Sequence, residues 1–146
     1  MTATKTPAAD RIAGDVRQLT HPIHVALRGR IVTHDPLLEQ LREAAVPSSG
    51  AGVVRRPPGS RPPASLDALD RLSGIYVGIS GWHARLCLPS PARHLDWQMA
   101  VLDVLAERAR DLAPAVAEWL AVEVHGWWHD AAVGSGWKPT DLLKLR

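Results

Sequence analysis

The chain has few of the residues that form disulfide bonds or metal sites in small proteins. Cys87 is the only cysteine among the 146 residues, so neither an internal disulfide nor a multi-cysteine zinc site can form within it. There is no phenylalanine and one tyrosine, so the six tryptophans supply most of the large aromatic surface. No run approaches the roughly 18 to 20 apolar residues that a membrane helix needs, so we expect no membrane contact.

The chain also lacks a strong excess of positive or negative charge. Lysine and arginine number 17 against 15 aspartates and glutamates, and the formal net charge is +2. Dedicated nucleic-acid binders concentrate positive charge more strongly. Residues 1–14 lack the apolar segment of a secretory signal, so we expect a cytosolic protein or a particle assembled in the cytosol.

The motifs of common enzymes are also absent. The stretch Gly50-Ala51-Gly52 is too short for a phosphate-binding loop and is not followed by lysine and serine or threonine. His125 and His129 lie four residues apart, a spacing that suits two metal ligands on a helix. Gly126 stands where a zinc protease would carry its glutamate, so this is a weak metal candidate. We therefore expect no enzyme, no catalytic residue and no cofactor.

Helical periodicity is the clearest positive feature. In the stretch 65–88 apolar residues recur at steps of three or four, which predicts a helix with one buried stripe. Gly74 and Gly78 lie one turn apart in this helix, and they either permit close contact with a neighbouring helix or mark a local weakness or bend. The predicted stripe consists of Leu66, Leu69, Leu72, Ile75, Ile79, Trp82 and Leu86.

Shorter patterns complete a mainly α fold, a three- to four-helix bundle with a small N-terminal helix and β-hairpin region. Alternating residues around Arg28-Gly29-Arg30 predict the hairpin. Asp35 and Ser90, each followed by a proline, predict two further helix starts. We divide the chain into residues 1–45 (helix, hairpin and short helix), a linker at 46–64, a helical core at 65–134 and a C-terminal tail at 135–146.

The linker and the C-terminal third hold the candidate contact residues. The linker is rich in proline, glycine and arginine, and it is either a solvated spacer or an arm that docks on a partner or on phosphates. Adjacent tryptophans on a helix point about 100° apart, so one of them should be exposed or lie at an interface rather than in the core. The candidates are Arg55, Arg56, Arg61, Trp127, Trp128, Trp137, Leu142 and Leu143.

Three stretches carry a resemblance to a known group of proteins: HDPLLEQLREA, SRPPASLDALDRL and AAVGSGWKP. Over residues 30–137 the chain resembles a family of uncharacterised small proteins encoded by actinobacterial phages and prophages. Many members continue into a cysteine-rich zinc ribbon, whereas this sequence has no ribbon before Arg146. The resemblance implies origin, and it brings no catalytic residue with it.

Two classes of function follow. The first is a non-enzymatic phage structural or assembly protein, such as a connector or tail-associated subunit, that contacts other phage proteins and forms a homo-oligomer. The alternative is a DNA-associated accessory protein of phage replication, packaging or regulation, which would use the Arg-rich linker. Either would be found in the host cytoplasm or in the assembled virion.

Overall fold

The computed structural model describes residues 6–46, 66–91 and 96–146 and confirms the predicted fold class, mainly α with an N-terminal hairpin. The predicted linker at 46–64 lies outside the described residues except for Val46. In chain order the elements are α1 (Ala8–Thr20), β1 (Ile23–Leu27), β2 (Arg30–His34), α2 (Leu37–Ala45), α3 (Leu66–Arg85), α4 (Trp97–Arg108), a 3₁₀ turn (Ala109–Asp111), α5 (Pro114–Gly134) and α6 (Pro139–Leu143).

Two predicted helix starts shift in the structure. Pro36 rather than Asp35 takes the cap position of α2, and the Asp35 carbonyl instead accepts a hydrogen bond from Gln40 Nε2 at 2.7 Å. The start of α4 at Ser90 and Pro91 is wrong, because Asp96 caps this helix. Its Oδ1 accepts the backbone N–H of Met99 at 3.0 Å, which satisfies one of the free donors of the first turn.

Helix α3 ends in a Schellman motif in which a cysteine takes the position usually occupied by glycine. The Leu88 N–H bonds the His83 carbonyl and the Cys87 N–H bonds the Ala84 carbonyl, both at 3.1 Å. This arrangement places Cys87 at a φ of +50°, the left-handed region that favours glycine. Helix α5 ends in the same motif, but there Gly136 takes the left-handed position at a φ of +89°.

Helix α5 lies at the centre of the molecule. It packs against α1, α2, α3 and α6, so its apolar residues are covered from several sides. A single buried cluster joins Ile12 of α1, Leu38 of α2 and Leu142 of α6 to the residues of α3 to α5. The core therefore extends beyond the predicted range 65–134 and includes parts of both flanking segments. Within the described residues no helix is both long enough and apolar enough to cross a bilayer.

The predicted stripe on α3 is buried only in its middle and later turns. Leu72, Ile75, Ile79 and Trp82 are buried, whereas Leu66 is 76% exposed and Leu69 is also exposed. In this first turn Ala68 is the residue that enters the core, so the two leucines flank the buried position instead of filling it.

The two glycines of α3 prove to have different roles. The indole of Trp127 packs directly on Gly78, where an added Cβ would lie 2.6 Å from the ring atom Cζ2. An added Cβ at Gly74 would meet no heavy atom within 4 Å. Of the two alternatives that the sequence left open, close contact with a neighbouring helix therefore holds at Gly78, and Gly74 makes no such contact.

Candidate interaction surface

The β-hairpin is a tight two-residue turn between five-residue strands. The antiparallel register runs from Ile23 opposite His34 to Leu27 opposite Arg30. Arg28 and Gly29 at the turn both have positive φ, +50° and +78°, as a type I′ turn requires. This turn matches the right-handed twist of the strands, so the short alternating sequence closes at this point.

One face of the hairpin carries an apolar stripe that begins in the core and continues into solvent. Residues opposite each other share a face of the ladder, which places Ile23, Val25, Val32 and Leu27 together. Ile23 is buried and Val25 packs against the core, but Val32 is exposed and Leu27 is 58% exposed. On the other face Ile31 is 75% exposed. We call residues 27–32 the hairpin tip.

The hairpin tip is basic as well as apolar. Arg28 and Arg30 are exposed, and neither forms an ion pair or side-chain hydrogen bond with another described residue. Two-stranded sheets on their own are only marginally stable in water. Here the base is held by Ile23 and by an edge-on contact of the His34 ring with the Trp137 ring, at a centroid distance of 5.0 Å.

Helices α3 and α5 together form a second exposed surface. They run antiparallel side by side, as shown by the contact of Arg71 with Asp130 and by the packing of Trp82 on Trp119, with ring centroids 5.0 Å apart. Positions at helical spacing opposite the two buried stripes share one solvent-facing side. We call this side the outer face; its residues are Asp70, Gly74, Val77 and Gly81 of α3 and Trp119, Val122, Glu123, Gly126 and Val133 of α5.

The outer face combines exposed apolar groups with carboxylates. Val77 is 74% exposed and Val122 is 68% exposed, although both lie in the middle of long helices. Asp70 and Glu123 form no ion pair with another described residue, whereas Asp130 is paired with Arg71. The sequence did not predict this surface, because a valine in a helix can be buried or exposed and the residues around it do not show which.

At one border of the outer face the guanidinium of Arg85 lies over the Trp119 ring, 4.3 Å from its centroid, and 5.0 Å from that of Trp82. This cation–π contact covers part of the exposed indole and holds the side chain of Trp119 in place.

The structure places both adjacent tryptophans in the core, so the expectation that one of them is exposed is wrong. Trp127 turns toward Gly78 of α3. Trp128 turns toward α1, where its Nε1 donates to Gln18 Oε1 at 2.8 Å. Other helices cover α5 on more than one side. Two adjacent side chains that point about 100° apart around its axis can therefore both be buried.

The other predicted contact residues fall into three groups. Arg55, Arg56 and Arg61 lie outside the described residues. Leu142 is buried, which removes it as a contact candidate because it fills the core beside α1, whereas Leu143 remains exposed. Trp137 is half-buried, and its Nε1 donates to Gln40 Oε1 at 2.8 Å, so its polar atom already has an intramolecular partner.

In the weak metal candidate, His125 has other partners in this structure. His125 Nδ1 lies 3.1 Å from Asp15 Oδ2, and the ring stacks on Trp128. Across residues 6–46, 66–91 and 96–146 there is no group of three or more histidine, cysteine, aspartate or glutamate side chains placed to share a metal ion.

A buried polar cluster fastens the end of the chain to α1. Asp15 is 2% exposed and forms an ion pair with Arg146. Gln18 Nε2 donates to the Leu142 carbonyl at 2.8 Å, and the Arg146 guanidinium lies over the Trp128 ring. The partners of Asp15 and Gln18 at the end of the chain are more than a hundred positions away, so no local pattern could have indicated these two contacts.

A second ion pair joins α2 to the start of α4. Arg42 donates to Asp96 Oδ2 and also to the hydroxyl of Tyr76. The hydrogen bond to Asp96, reinforced by that to Tyr76, raises the pKa of Arg42 despite its partial burial. Partial burial raises the pKa of Asp96, but the hydrogen bonds from Arg42 and from the Met99 and Gln98 backbones outweigh burial and hold this pKa below its ordinary value.

A groove of about 860 Å³ lies at the base of the hairpin, between α1, β1, α4 and the end of the chain. Its lining includes Arg17, His24 and Arg146 against the single carboxylate Asp103. Thr20 Oγ1 donates to Asp103 at 3.1 Å, so this carboxylate is already hydrogen-bonded. The groove is basic and does not bring a nucleophile, a base and an orienting acid together.

Comparison with family models gives one match that spans most of the chain. The matching model covers residues 6–133 and is described as a domain of unknown function, DUF7341. Comparisons with curated proteins and with solved structures find no match. The matched range includes the hairpin tip and all of the outer face. Because the match spans most of the sequence, the chain belongs to the DUF7341 family.

Proposed function

We propose that this protein is a non-enzymatic structural or assembly subunit of phage origin, a connector or tail-associated protein that acts through protein–protein contacts. The observation that carries the proposal is the hairpin tip, where the apolar stripe that continues from the core leaves Leu27 in water and the opposite face exposes Ile31. Full burial of an aliphatic side chain is worth about 1.5–3 kcal/mol, so covering these residues supplies a substantial part of a binding energy.

The composition of the hairpin tip fits a protein partner. Arginine is enriched in protein interfaces, and the fully buried centre of an interface is more apolar than the rest of the protein surface. The resemblance to phage and prophage proteins supports a partner among other phage proteins, including further copies of this chain. Assembly of this kind takes place in the host cytoplasm or in the virion.

The second candidate function is DNA association. Arg28 and Arg30 at the end of a narrow hairpin, together with the basic groove at its base, favour this reading over a purely apolar contact. Two-stranded β-ribbons can enter a DNA groove, and arginine pairs well with phosphate. Against it stands the formal net charge of only +2.

Native mass measurement separates the two functions. The full chain is measured alone and with duplex DNA, at low and at moderate salt. The structural function predicts a defined oligomer whose mass is unaffected by DNA. A monomer or dimer that shifts with DNA, with affinity falling steeply as salt rises, would establish the DNA-associated function in its place. A monomer that ignores DNA would contradict self-assembly and leave a different phage protein as the partner to be sought.

A further inference from the structure

We propose that the hairpin tip of one copy docks on the outer face of a second copy. The inference rests on the proposed function, since it names the partner as another copy of this chain and names the two surfaces that meet. Both surfaces are exposed in the monomer, and each carries apolar side chains that a folded domain normally covers.

Charge complementarity selects this pairing. The tip presents the cations Arg28 and Arg30, and the outer face presents the carboxylates Asp70 and Glu123. Within the part of the chain that the structure describes, none of these four groups has an ion-pair partner. Complementary potentials of this kind set the register of an interface and suppress wrong partners. A contact between two tips would instead bring four guanidinium groups together, and like charges placed together cost several kcal/mol.

The shape of the outer face suits a hairpin. Gly74, Gly81 and Gly126 lie along it, and an added Cβ at any of them would meet no heavy atom within 4 Å. These positions leave the helix backbone uncovered near the exposed valines Val77 and Val122. The tip carries Leu27 on β1 and Ile31 on β2, on opposite faces of the hairpin, and docking either side chain on the outer face would bury apolar surface on both partners.

The tip and the outer face are different patches, and two arrangements satisfy their contact. In a reciprocal pair each tip docks on the outer face of the other copy about a two-fold axis, which closes at a dimer. In a head-to-tail contact each copy docks its tip on the next copy, which closes into a ring if the rotation per copy allows it and otherwise continues as a filament. A ring is the form expected of a connector.

The test exchanges the charges of the two surfaces. One variant carries Arg28→Glu with Arg30→Glu, and a second carries Asp70→Lys with Glu123→Lys. A matched control carries Arg108→Glu with Arg110→Glu, two exposed arginines outside both surfaces with the same change of charge as the first variant. Native mass is recorded for each protein alone and for a one-to-one mixture of the first two. Circular dichroism checks that every variant keeps the wild-type helicity.

We expect the wild type and the control to assemble, each surface variant to stay monomeric, and the mixture to assemble again, because both contacts are once more complementary. A mixture that stays at the single-chain mass of 15.9 kDa would show that these two sets of charges do not meet, and it would overturn the proposal. Surface variants that assemble like the wild type would overturn it while the proposed function stands. A wild type that remains monomeric and shifts only with DNA would refute the proposed function itself.

Discussion

Gly78→Ala should destabilise the protein, even though alanine is the better helix former. In an open helical site this change is worth up to about 1 kcal/mol in favour of alanine, because glycine loses more backbone entropy on folding. At Gly78 the new Cβ would lie within 3 Å of three atoms of the Trp127 indole. Trp127 is buried and rigid, so either the ring or α3 has to move.

The magnitude follows from two opposing effects. Overpacking a well-filled core costs about 1–3 kcal/mol. Subtracting the gain in helix propensity leaves a net loss of about 0.5–2 kcal/mol in the free energy of unfolding. For a domain of this size each kcal/mol corresponds to a change in Tm of about 2–4 °C.

Gly74→Ala is the matched control. It makes the same chemical change one turn earlier in the same helix, where no heavy atom lies within 4 Å of the new Cβ. We expect it to raise the free energy of unfolding by about 0.5–1 kcal/mol. Urea unfolding followed by circular dichroism measures both variants. If Gly78→Ala were as stable as Gly74→Ala, the close contact of α3 with Trp127 would be refuted.

Three further predictions concern single residues. Cys87→Gly should raise the free energy of unfolding by about 1 kcal/mol, because glycine tolerates the left-handed conformation, and Cys87→Ala should give no such gain in the same assay. Asp96→Asn keeps a capping oxygen but removes the charge, and at pH 7 we expect a loss of about 1 kcal/mol in chemical unfolding. The folded-state pKa of Asp96 lies below the ordinary value of 3.8, so its ionic stabilisation is present above that value and disappears as pH falls through the folded-state pKa. The gap between wild type and Asp96→Asn should therefore close in strong acid, and an unchanged gap there would exclude this ion pair as its source. Leu142→Ala should cost about 2–5 kcal/mol because it empties a fully buried site, whereas Leu143→Ala should stay within about 0.5 kcal/mol in thermal melts.

The candidate contact residues show where sequence reasoning is weakest. An apolar residue in a helix is equally compatible with a core and with an exposed face, so Leu142 and Leu143, adjacent in the chain, could not be told apart. Trp127 and Trp128 are both buried because α1 and α3 cover α5 from different sides. That coverage is a property of the assembled bundle and not of the sequence around the tryptophans.

The sequence alone determined the elements whose causes are local. Periodic apolar residues and the Arg-Gly turn were sufficient to predict the hairpin and the mainly α fold, whereas the capping residues chosen from the sequence misplaced the starts of α2 and α4. Only the tertiary structure decided the central position of α5, the ion pair of Asp15 with Arg146, the close contact at Gly78 and the outer face. Each of these depends on residues far apart in the chain, whose approach is governed by packing of the whole domain and leaves no periodic trace in either segment.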